Sequence, residues 1–209
     1  RSTGQGQVID CAMSDGAASL MAMFYGFKAA GQWSDTRRSN LLDGGAHFYD
    51  TYQCADGEWI AIGSIEPQFY ALLLEKTGID DPAFKAQMDR GQWPALHEKL
   101  AAAIAGKTRD EWCDIMAGTD VCFGPVLSLD EAPRHAHNVA RQTFIEVEGV
   151  IQPAPAPRFS ATPGAVAGPP PAIGAHNRTA LSGWGFSAQE IDGLGNSGAP
   201  WTNRKACFI

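Results

Sequence analysis

The sequence has few charged residues and no long hydrophobic run. Charged residues make up 19% of its 209 residues, against ~25% in an average soluble protein. The longest apolar stretch, residues 17–25, is far shorter than the ~20 residues that a membrane-spanning helix needs. The net charge of −7 argues against a nucleic acid or an anionic membrane surface as a partner. At 44% hydrophobic residues the chain is expected to fold. Its low content of charged residues predicts that part of its surface is hidden in a partner.

A disulfide framework and a metal centre are also missing from the sequence. Its 5 cysteines are odd in number and contain no C-x-x-C pair. The pair His135 and His137 has no carboxylate or thiol at ligand spacing, so no metal site is expected. Four cysteines lie among apolar residues and are predicted to be small buried hydrophobic side chains: Cys11, Cys54, Cys113 and Cys122. This usage favours a reducing, cytoplasmic location.

The composition divides the chain into three parts. Residues 1–45 contain an apolar segment, residues 8–30, that is hydrophobic on all sides and predicts a buried helix ending at Gly31. Residues 46–150 predict a compact α+β unit. Residues 151–209 hold most of the prolines and predict an extended return along another surface.

Turn and cap signals place the elements of the middle part. Strands over residues 47–54 and 58–63, joined by an Asp-Gly turn, predict a β-hairpin. Residues 143–148 alternate and predict another strand. Capping boxes predict three helix starts, at Thr108–Glu111, Ser128–Glu131 and Ser187–Glu190.

Glycines near the C-terminal end match the spacing of a nucleotide-binding motif, but the strand and the helix that should flank this motif are not predicted. Gly193-Leu-Gly-Asn-Ser-Gly198 matches G-x-G-x-x-G. The dinucleotide fingerprint requires a strand before these glycines and a helix after them, and the sequence predicts neither. Nucleotide binding is therefore not expected here.

Glu66 stands at the junction of a strand and a helix. Pro67 suits the first helical position, so Glu66 is the predicted N-cap of the following helix, which Gly78 ends. Two interpretations remain open: a cap that only satisfies helix donors, or a positioned carboxylate that orients a histidine or takes part in proton transfer. The spacing alone favours the plain cap.

Several motifs in order resemble those of a known family. They are Gly4-Gln-Gly-Gln-Val-Ile-Asp10, Asn40-Leu-Leu-Asp-Gly-Gly45, Phe48-Tyr-Asp-Thr-Tyr52, Ala55-Asp-Gly57 and Ile65-Glu-Pro-Gln-Phe-Tyr70, with weaker matches at 123–126, 137–141 and 157–160. The sequence thereby resembles the class III coenzyme A transferase superfamily, of the carnitine-CoA transferase type. The string over residues 65–70 resembles the α-methylacyl-CoA racemase branch. His47 departs from the branch, where Pro is frequent, and Ser64 departs where Ala is usual.

The resemblance implies an α/β fold in an interlocked homodimer. A Rossmann-like large domain is built from both chain ends, represented here by residues 1–45 and 151–209. A small α+β domain comes from residues 46–150. The active site then lies between the large domain of one subunit and the small domain of the other. Because the chain starts at Arg1 rather than Met, it is expected to be a piece of a longer protein. The resemblance implies that this piece is the C-terminal half and that it is inactive alone.

The resemblance also implies a reaction, the racemisation of 2-methylacyl-CoA thioesters in fatty acid metabolism. The α-proton is removed to form an enolate, and a proton returns from the opposite face. A His paired with a Glu serves one side and an Asp the other. Glu66 matches the Glu, while the His and Asp are expected upstream of Arg1. Residues matching the acyl pocket are Met13, Asp15, Leu42, Tyr49 and Ile65.

No cofactor is expected, since coenzyme A is part of the substrate. One alternative keeps the same fold: a CoA-transferase that moves CoA between carboxylic acids through an aspartyl anhydride. A second alternative belongs to another class of protein, a non-catalytic, truncated dimerisation fragment. The sequence does not distinguish sterol side chains, branched fatty acids and smaller acyl groups.

Overall fold

A computed structural model describes residues 4–196 of the chain. Its contacts divide the chain into two compact units, Arg1–Leu127 and Ser128–Ile209. The boundary falls inside the predicted middle part, residues 46–150, and the three-part division into domains stays a prediction. Gly198, Cys207 and most of the C-terminal tail lie outside the described residues.

The N-terminal apolar segment forms two exposed helices rather than one buried helix. Helix α1 spans Met13–Leu20 and α2 spans Ala22–Ala29, and neither contains a buried residue. Met21, with ψ at 0°, ends the first helix and precedes the second. The expectation of burial is wrong because no element of the described chain covers these helices. The predicted end is confirmed: Gly31 has a positive φ of 71° and donates to the Lys28 carbonyl oxygen.

A three-stranded antiparallel sheet follows, in the order β1-β2-β3. Strands β1 (Tyr49–Gln53) and β2 (Trp59–Gly63) form the predicted hairpin, with Gly57 at a positive φ of 84° in the turn. Strand β3 (Phe123–Pro125) pairs with β2 and was not predicted. Every second residue of β2 is buried, so one face of the sheet meets the core.

Three helices cover that face. Helix α3 spans Pro67–Thr77 and ends at Gly78 in the left-handed conformation, as predicted; α4 spans Trp93–Ile104 and α5 spans Arg109–Met116. A 3₁₀ turn at Pro82–Lys85 precedes α4. The buried side chains of α4 recur every three or four residues, which fixes the face that packs: Trp93, Leu96, Leu100 and Ile104.

Two of the three predicted capping boxes begin a helix. Thr108 and Glu111 exchange both reciprocal hydrogen bonds at the start of α5. Ser187 and Glu190 do the same at the start of α8 (Ala188–Asn196). The bonds between Ser128 and Glu131 also form, but they precede only a 3₁₀ turn at Ala132–Arg134.

The second unit contains a hairpin and short helices. Helix α6 (Ala136–Ala140) precedes β4 (Phe144–Val147), the predicted strand. Strand β5 (Val150–Pro153) pairs with it through a turn in which Glu148 and Gly149 both have positive φ. This second strand was not predicted. Helix α7 (Asn177–Gly183) then packs on α8, which contains Gly193 and Gly195.

The expectation that four cysteines are buried is correct only for Cys54. Cys113 is half-buried, and Cys11 and Cys122 are exposed. Cys11 lies before the exposed α1, and Cys122 lies at a turn with a positive φ of 58°, so an apolar sequence neighbourhood did not produce burial. Burial first, with the Asp56 carboxylate adding to it, raises the pKa of the Cys54 thiol to about 11.

No helix within residues 4–196 is long and apolar enough to cross a membrane.

Candidate active site

A cleft of about 470 Å³ opens on the exposed face of the three-stranded sheet. Its walls come from the loop before β1, the three strands, and the turn before β3. The lining residues are Leu42, Asp43, Gly44, Tyr49, Asp50, Thr51, Ala61, Ile62, Gly63, Cys122 and Gly124. Its volume lies in the ~300–1,000 Å³ range of small-molecule sites.

The loop that carries Leu42 is fixed by a local hydrogen-bond network. The buried Asn40 side chain accepts from the Ser34 backbone N–H and donates to the Ser34 carbonyl oxygen and the Asp43 carboxylate. The Asp43 carboxylate also accepts from the backbone N–H groups of Asn40 and Gly45. Burial alone would raise the pKa of Asp43, but these hydrogen bonds outweigh it and lower the pKa below its usual value.

Two positions of this loop, 44 and 45, have no room for a side chain and are occupied by glycine. A Cβ on Gly45 would lie 2.7 Å from the backbone nitrogen and oxygen of Asn40, closer than any side chain tolerates. Gly44 has a positive φ of 82°, and a Cβ there would lie 3.1 Å from the Asp50 carboxylate. The motif Asn40-Leu-Leu-Asp-Gly-Gly45 therefore specifies one compact turn that presents Leu42 to the cleft.

Asp50 joins three segments of the chain at the cleft wall. Its carboxylate pairs with the Arg38 guanidinium and lies 3.0 Å from Nε2 of His97 on α4. Its second oxygen accepts from the Thr51 backbone N–H at 2.8 Å. The His97 ring stacks on Tyr52 with 4.7 Å between ring centroids. This cluster holds β1, and with it Tyr49, against α4.

Glu66 is the N-cap residue of α3, as predicted, but its side chain makes no capping hydrogen bond. Its backbone is extended and its carbonyl oxygen accepts from the Tyr70 N–H. The segment before it is well held, since Gln87 donates to the carbonyl oxygens of Ser64 and Ile65, and the buried Ser64 hydroxyl donates to the Val121 carbonyl oxygen. The carboxylate is therefore exposed on a fixed backbone and is not used by the helix.

Cys122 connects Glu66 with the cleft. Cys122 lines the cleft, and its backbone carbonyl oxygen accepts from the Gly63 N–H at 2.9 Å. Burial raises the pKa of this thiol, and the negative charge of Glu66 raises it further. The Glu66 carboxylate is therefore within electrostatic range of the Cys122 thiol, while Glu66 itself is not among the residues that line the cleft.

The structure gathers some of the predicted site residues and separates others. Leu42 and Tyr49 line the cleft, and Glu66 follows the lining residue Gly63 by three positions. Ile65 packs partly buried against the core. Met13, with 91% of its surface exposed, and Asp15 lie on α1 instead. The role of all six residues in catalysis or substrate binding remains a prediction.

Sequence reasoning missed Asp50 and Cys122 as cleft residues. Asp50 lies inside a quoted motif, but its partners Arg38 and His97 are far from it in the sequence, and no spacing rule connects them. Cys122 precedes β3, a strand of only Phe123–Pro125, which is too short to give an alternating pattern. No group of three or more His, Cys, Asp or Glu side chains in residues 4–196 is placed to hold a metal.

Replacing Asp50 by Asn is expected to lower the free energy of unfolding by about 1 kcal/mol. The change removes the charge that pairs with Arg38, and Arg38 is half exposed, so solvent screens the pair. Urea unfolding measures the effect. The matched variant Asp80→Asn, at an exposed loop position, is expected to change it by less than about 0.5 kcal/mol. Equal losses in both variants would contradict the assignment.

The comparisons with known proteins identify the family. Residues 1–177 match the CoA-transferase family III domain, so the chain belongs to CoA-transferase family III. It is 44% identical over 191 residues to the α-methylacyl-CoA racemase of Mus musculus. The aligned region covers 90% of this chain and 50% of the mouse protein. The identity to the Homo sapiens α-methylacyl-CoA racemase is 43% over the same shares. The chain spans about half the length of the curated relatives it matches.

Solved structures share the fold. The crystal structure of a CAIB/BAIF family protein from Brucella suis superposes with a TM-score of 0.67 at 21% identity, covering 87% of this chain and 49% of that one. At this identity the likeness shows the fold alone, and it agrees with the mixed α/β architecture expected for the family.

Proposed function

We propose that the protein is a racemase that interconverts the R and S forms of 2-methylacyl-CoA thioesters. Identities of 43% and 44% to α-methylacyl-CoA racemases over 90% of the chain support this substrate class. A CoA-transferase of Chloroflexus aurantiacus, which acts on succinyl-CoA and D-citramalate, is 32% identical over 84% of the chain. The racemase is therefore favoured over a transferase.

The observation that carries the proposal is the uncommitted carboxylate of Glu66. Glutamate is a poor N-cap residue, and the Glu66 side chain makes no capping bond, so its carboxylate is left for another role. It lies on a fixed backbone, three residues after Gly63, which lines the cleft of about 470 Å³. A group held in this way is suited to orienting a histidine or holding a proton near a substrate.

In the proposed reaction, a base removes the proton from the carbon next to the thioester and an enolate forms. An acid on the opposite face returns a proton, which inverts the centre. We assign Glu66 to the side of the histidine, and the histidine and the second acid, an Asp, to a part of the protein outside this sequence. Met13, Asp15, Leu42, Tyr49 and Ile65 are proposed to contact the acyl group.

The proposal includes the wider assembly. No cofactor is needed beyond the coenzyme A of the substrate, and the active form is an interlocked homodimer with a Rossmann-like large domain. The exposed apolar surface of the N-terminal segment supports such an assembly, since Val8 is 96% and Leu20 83% exposed. The free cysteines of the described residues favour a cytoplasmic enzyme.

The test is exchange of the α-proton with solvent. The protein, expressed from its complete reading frame, is incubated with (S)-2-methyldecanoyl-CoA in deuterated water. We expect deuterium at C2 and appearance of the R form, measured by mass spectrometry and chiral separation. Residues 1–209 alone are expected to show neither.

Each contrary result has a distinct meaning. Transfer of CoA between two acids without exchange would establish the transferase in place of the racemase. Absence of both reactions in the protein expressed from its complete reading frame would favour the second alternative, in which this chain is a non-catalytic, truncated dimerisation fragment. Racemisation by residues 1–209 alone would contradict the placement of the histidine and the Asp outside this sequence.

A further inference from the structure

The connection between β2 and α3, residues 64–66, carries Glu66. The carbonyl oxygens of Ser64 and Ile65 lie between the end of the strand and the start of the helix, so each requires a donor from elsewhere. The Gln87 side chain supplies it. Its Nε2 donates to the Ser64 oxygen at 3.3 Å and to the Ile65 oxygen at 2.9 Å. One amide group therefore holds the two peptide groups directly before Glu66.

Gln87 is itself held in the turn before α4. Its carbonyl oxygen accepts from the indole N–H of the buried Trp93 at 2.8 Å. The 3₁₀ turn before it reaches α3, because the Tyr70 hydroxyl donates to the Phe84 carbonyl oxygen at 3.1 Å. The Tyr70 N–H donates in turn to the Glu66 carbonyl oxygen at 3.0 Å. The segment that precedes α4 thus holds the backbone on both sides of Glu66.

The position of the Glu66 carboxylate depends on this backbone. The residue is exposed, and its side chain makes no capping hydrogen bond that would fix it to the helix. The carboxylate therefore follows its own Cα atom. A reacting group displaced by ~1 Å can lose ~10²-fold in rate, so a side chain that anchors the preceding peptide groups can control that rate.

We propose that Gln87 is a positioning residue for the reaction, which holds the Glu66 carboxylate at the place where it serves the catalytic histidine. The inference rests on the proposed function and adds to it a residue that lies far from Glu66 in the sequence. Gln87 takes no part in proton transfer itself, because a side-chain amide neither gains nor loses a proton near neutral pH.

The first variant is Gln87→Met, which keeps the length of the side chain and removes the donor. In the protein expressed from its complete reading frame, kcat for α-proton exchange of 2-methyldecanoyl-CoA is expected to fall about tenfold, with KM within about twofold of the wild type, because Gln87 holds Glu66 and not the substrate. Thermal unfolding verifies that the variant folds. Gln87→Asn, whose amide is one methylene shorter, is used should Gln87→Met fail to fold.

The matched control is Gln53→Met. The Gln53 Nε2 donates to the Gly57 carbonyl oxygen at 3.1 Å in the β1–β2 turn, so the replacement removes a hydrogen bond of the same kind away from Glu66. Its kcat is expected to stay within about twofold of the wild type.

A double variant separates positioning from a general structural role. In Glu66→Gln the carboxylate is absent, so Gln87 has no base to position. The double variant Glu66→Gln/Gln87→Met is therefore expected to exchange within about twofold of Glu66→Gln alone. A further loss of about tenfold in the double variant would overturn the proposal, as would a wild-type kcat in Gln87→Met.

The Cys122 thiol reports on Glu66 independently of the reaction. Burial raises the pKa of this thiol and the charge of Glu66 raises it further, so a carboxylate that is removed or moves away into solvent lowers the pKa and speeds alkylation by iodoacetamide. Mass spectrometry measures the rate at Cys122. We expect faster alkylation in Glu66→Gln and in Gln87→Met, and no further increase in the double variant.

The two readouts distinguish this proposal from the racemase itself. Exchange in the wild type with additive losses in the double variant would retain the racemase and reject the role of Gln87. Non-additive changes at Cys122 without any exchange in the wild type would retain the hold of Gln87 on Glu66 and reject the racemase. With neither exchange nor a change at Cys122, both proposals fall.

Discussion

Replacing Glu66 by Gln is expected to slow α-proton exchange in the complete protein by about a hundredfold or more. Positioned acid or base groups contribute ~10²–10⁴ to a rate, and glutamine keeps the shape of the side chain but neither accepts a proton nor bears a negative charge. Because Glu66 makes no capping bond with its side chain, the free energy of unfolding is expected to change by less than about 0.5 kcal/mol. Deuterium incorporation into 2-methyldecanoyl-CoA measures the rate, and urea unfolding measures the stability.

The matched control is Glu75→Gln on the same helix. The Glu75 side chain is 67% exposed and pairs with the adjacent Lys76, so the exchange rate of the Glu75→Gln variant is expected to stay within about twofold of the wild type. Exchange at the wild-type rate in Glu66→Gln would remove Glu66 from the mechanism. A slow rate that accompanies unfolding would show a structural role instead.

The free energy of unfolding is expected to fall by about 3 kcal/mol as the pH drops from 6.5 to 4, because of His47. This ring is fully buried, where it packs edge-on against Phe48, Tyr70 and Phe84. Burial, with the charge of His97 adding to it, lowers the pKa of His47 from 6.5 to about 4. A pKa lowered by one unit corresponds to 1.36 kcal/mol of difference between the two protonation states. The lowering of the His47 pKa from 6.5 to about 4 therefore corresponds to about 3 kcal/mol.

The direction follows from proton uptake. The unfolded chain binds a proton at His47 below pH 6.5, while the folded chain does not until the pH nears 4. The folded state is therefore fully favoured above pH 6.5 and loses stability as the pH falls through this window. Urea unfolding at several pH values measures the slope.

His47→Phe supplies the control for this pH effect. The Tyr70 hydroxyl lies 2.7 Å from Nε2 of His47 and donates to the Phe84 carbonyl oxygen at 3.1 Å, so it keeps an acceptor after the replacement. Nδ1 of His47 is buried without a hydrogen-bond partner, and the variant removes that unpaired group as well. We expect the slope between pH 4 and 6.5 to flatten. An unchanged slope would assign it to another group.

Local signals predicted the local structure of this chain. The Asp-Gly turn gave the β1–β2 hairpin, Pro67 and Gly78 gave the ends of α3, and Thr108 with Glu111 gave the start of α5. Each signal acts over a few residues through one hydrogen bond or one dihedral angle. The strands β3 and β5 were missed because they are short and depend on pairing with a neighbour.

Burial was harder to predict than secondary structure. Residues 8–30 have the composition of a buried helix, yet their burial depends on what else covers them, which the segment itself does not encode. The site shows the same limit. Glu66 was assigned from its place in a motif, and its role stays a prediction. The cluster of Arg38, Asp50 and His97 could not be predicted, because it forms only when β1 and α4 meet in the fold.

The unused cap at Glu66 has a consequence for how this protein would respond to selection. Glutamate is a poor N-cap, and Ser, Asp or Asn at that position stabilises a helix by ~1 kcal/mol. A search for thermostable variants would therefore select substitutions at position 66, because a single replacement there supplies a better cap. Such variants would tolerate more heat at the expense of the carboxylate, so screens for heat resistance and for turnover would choose different residues there.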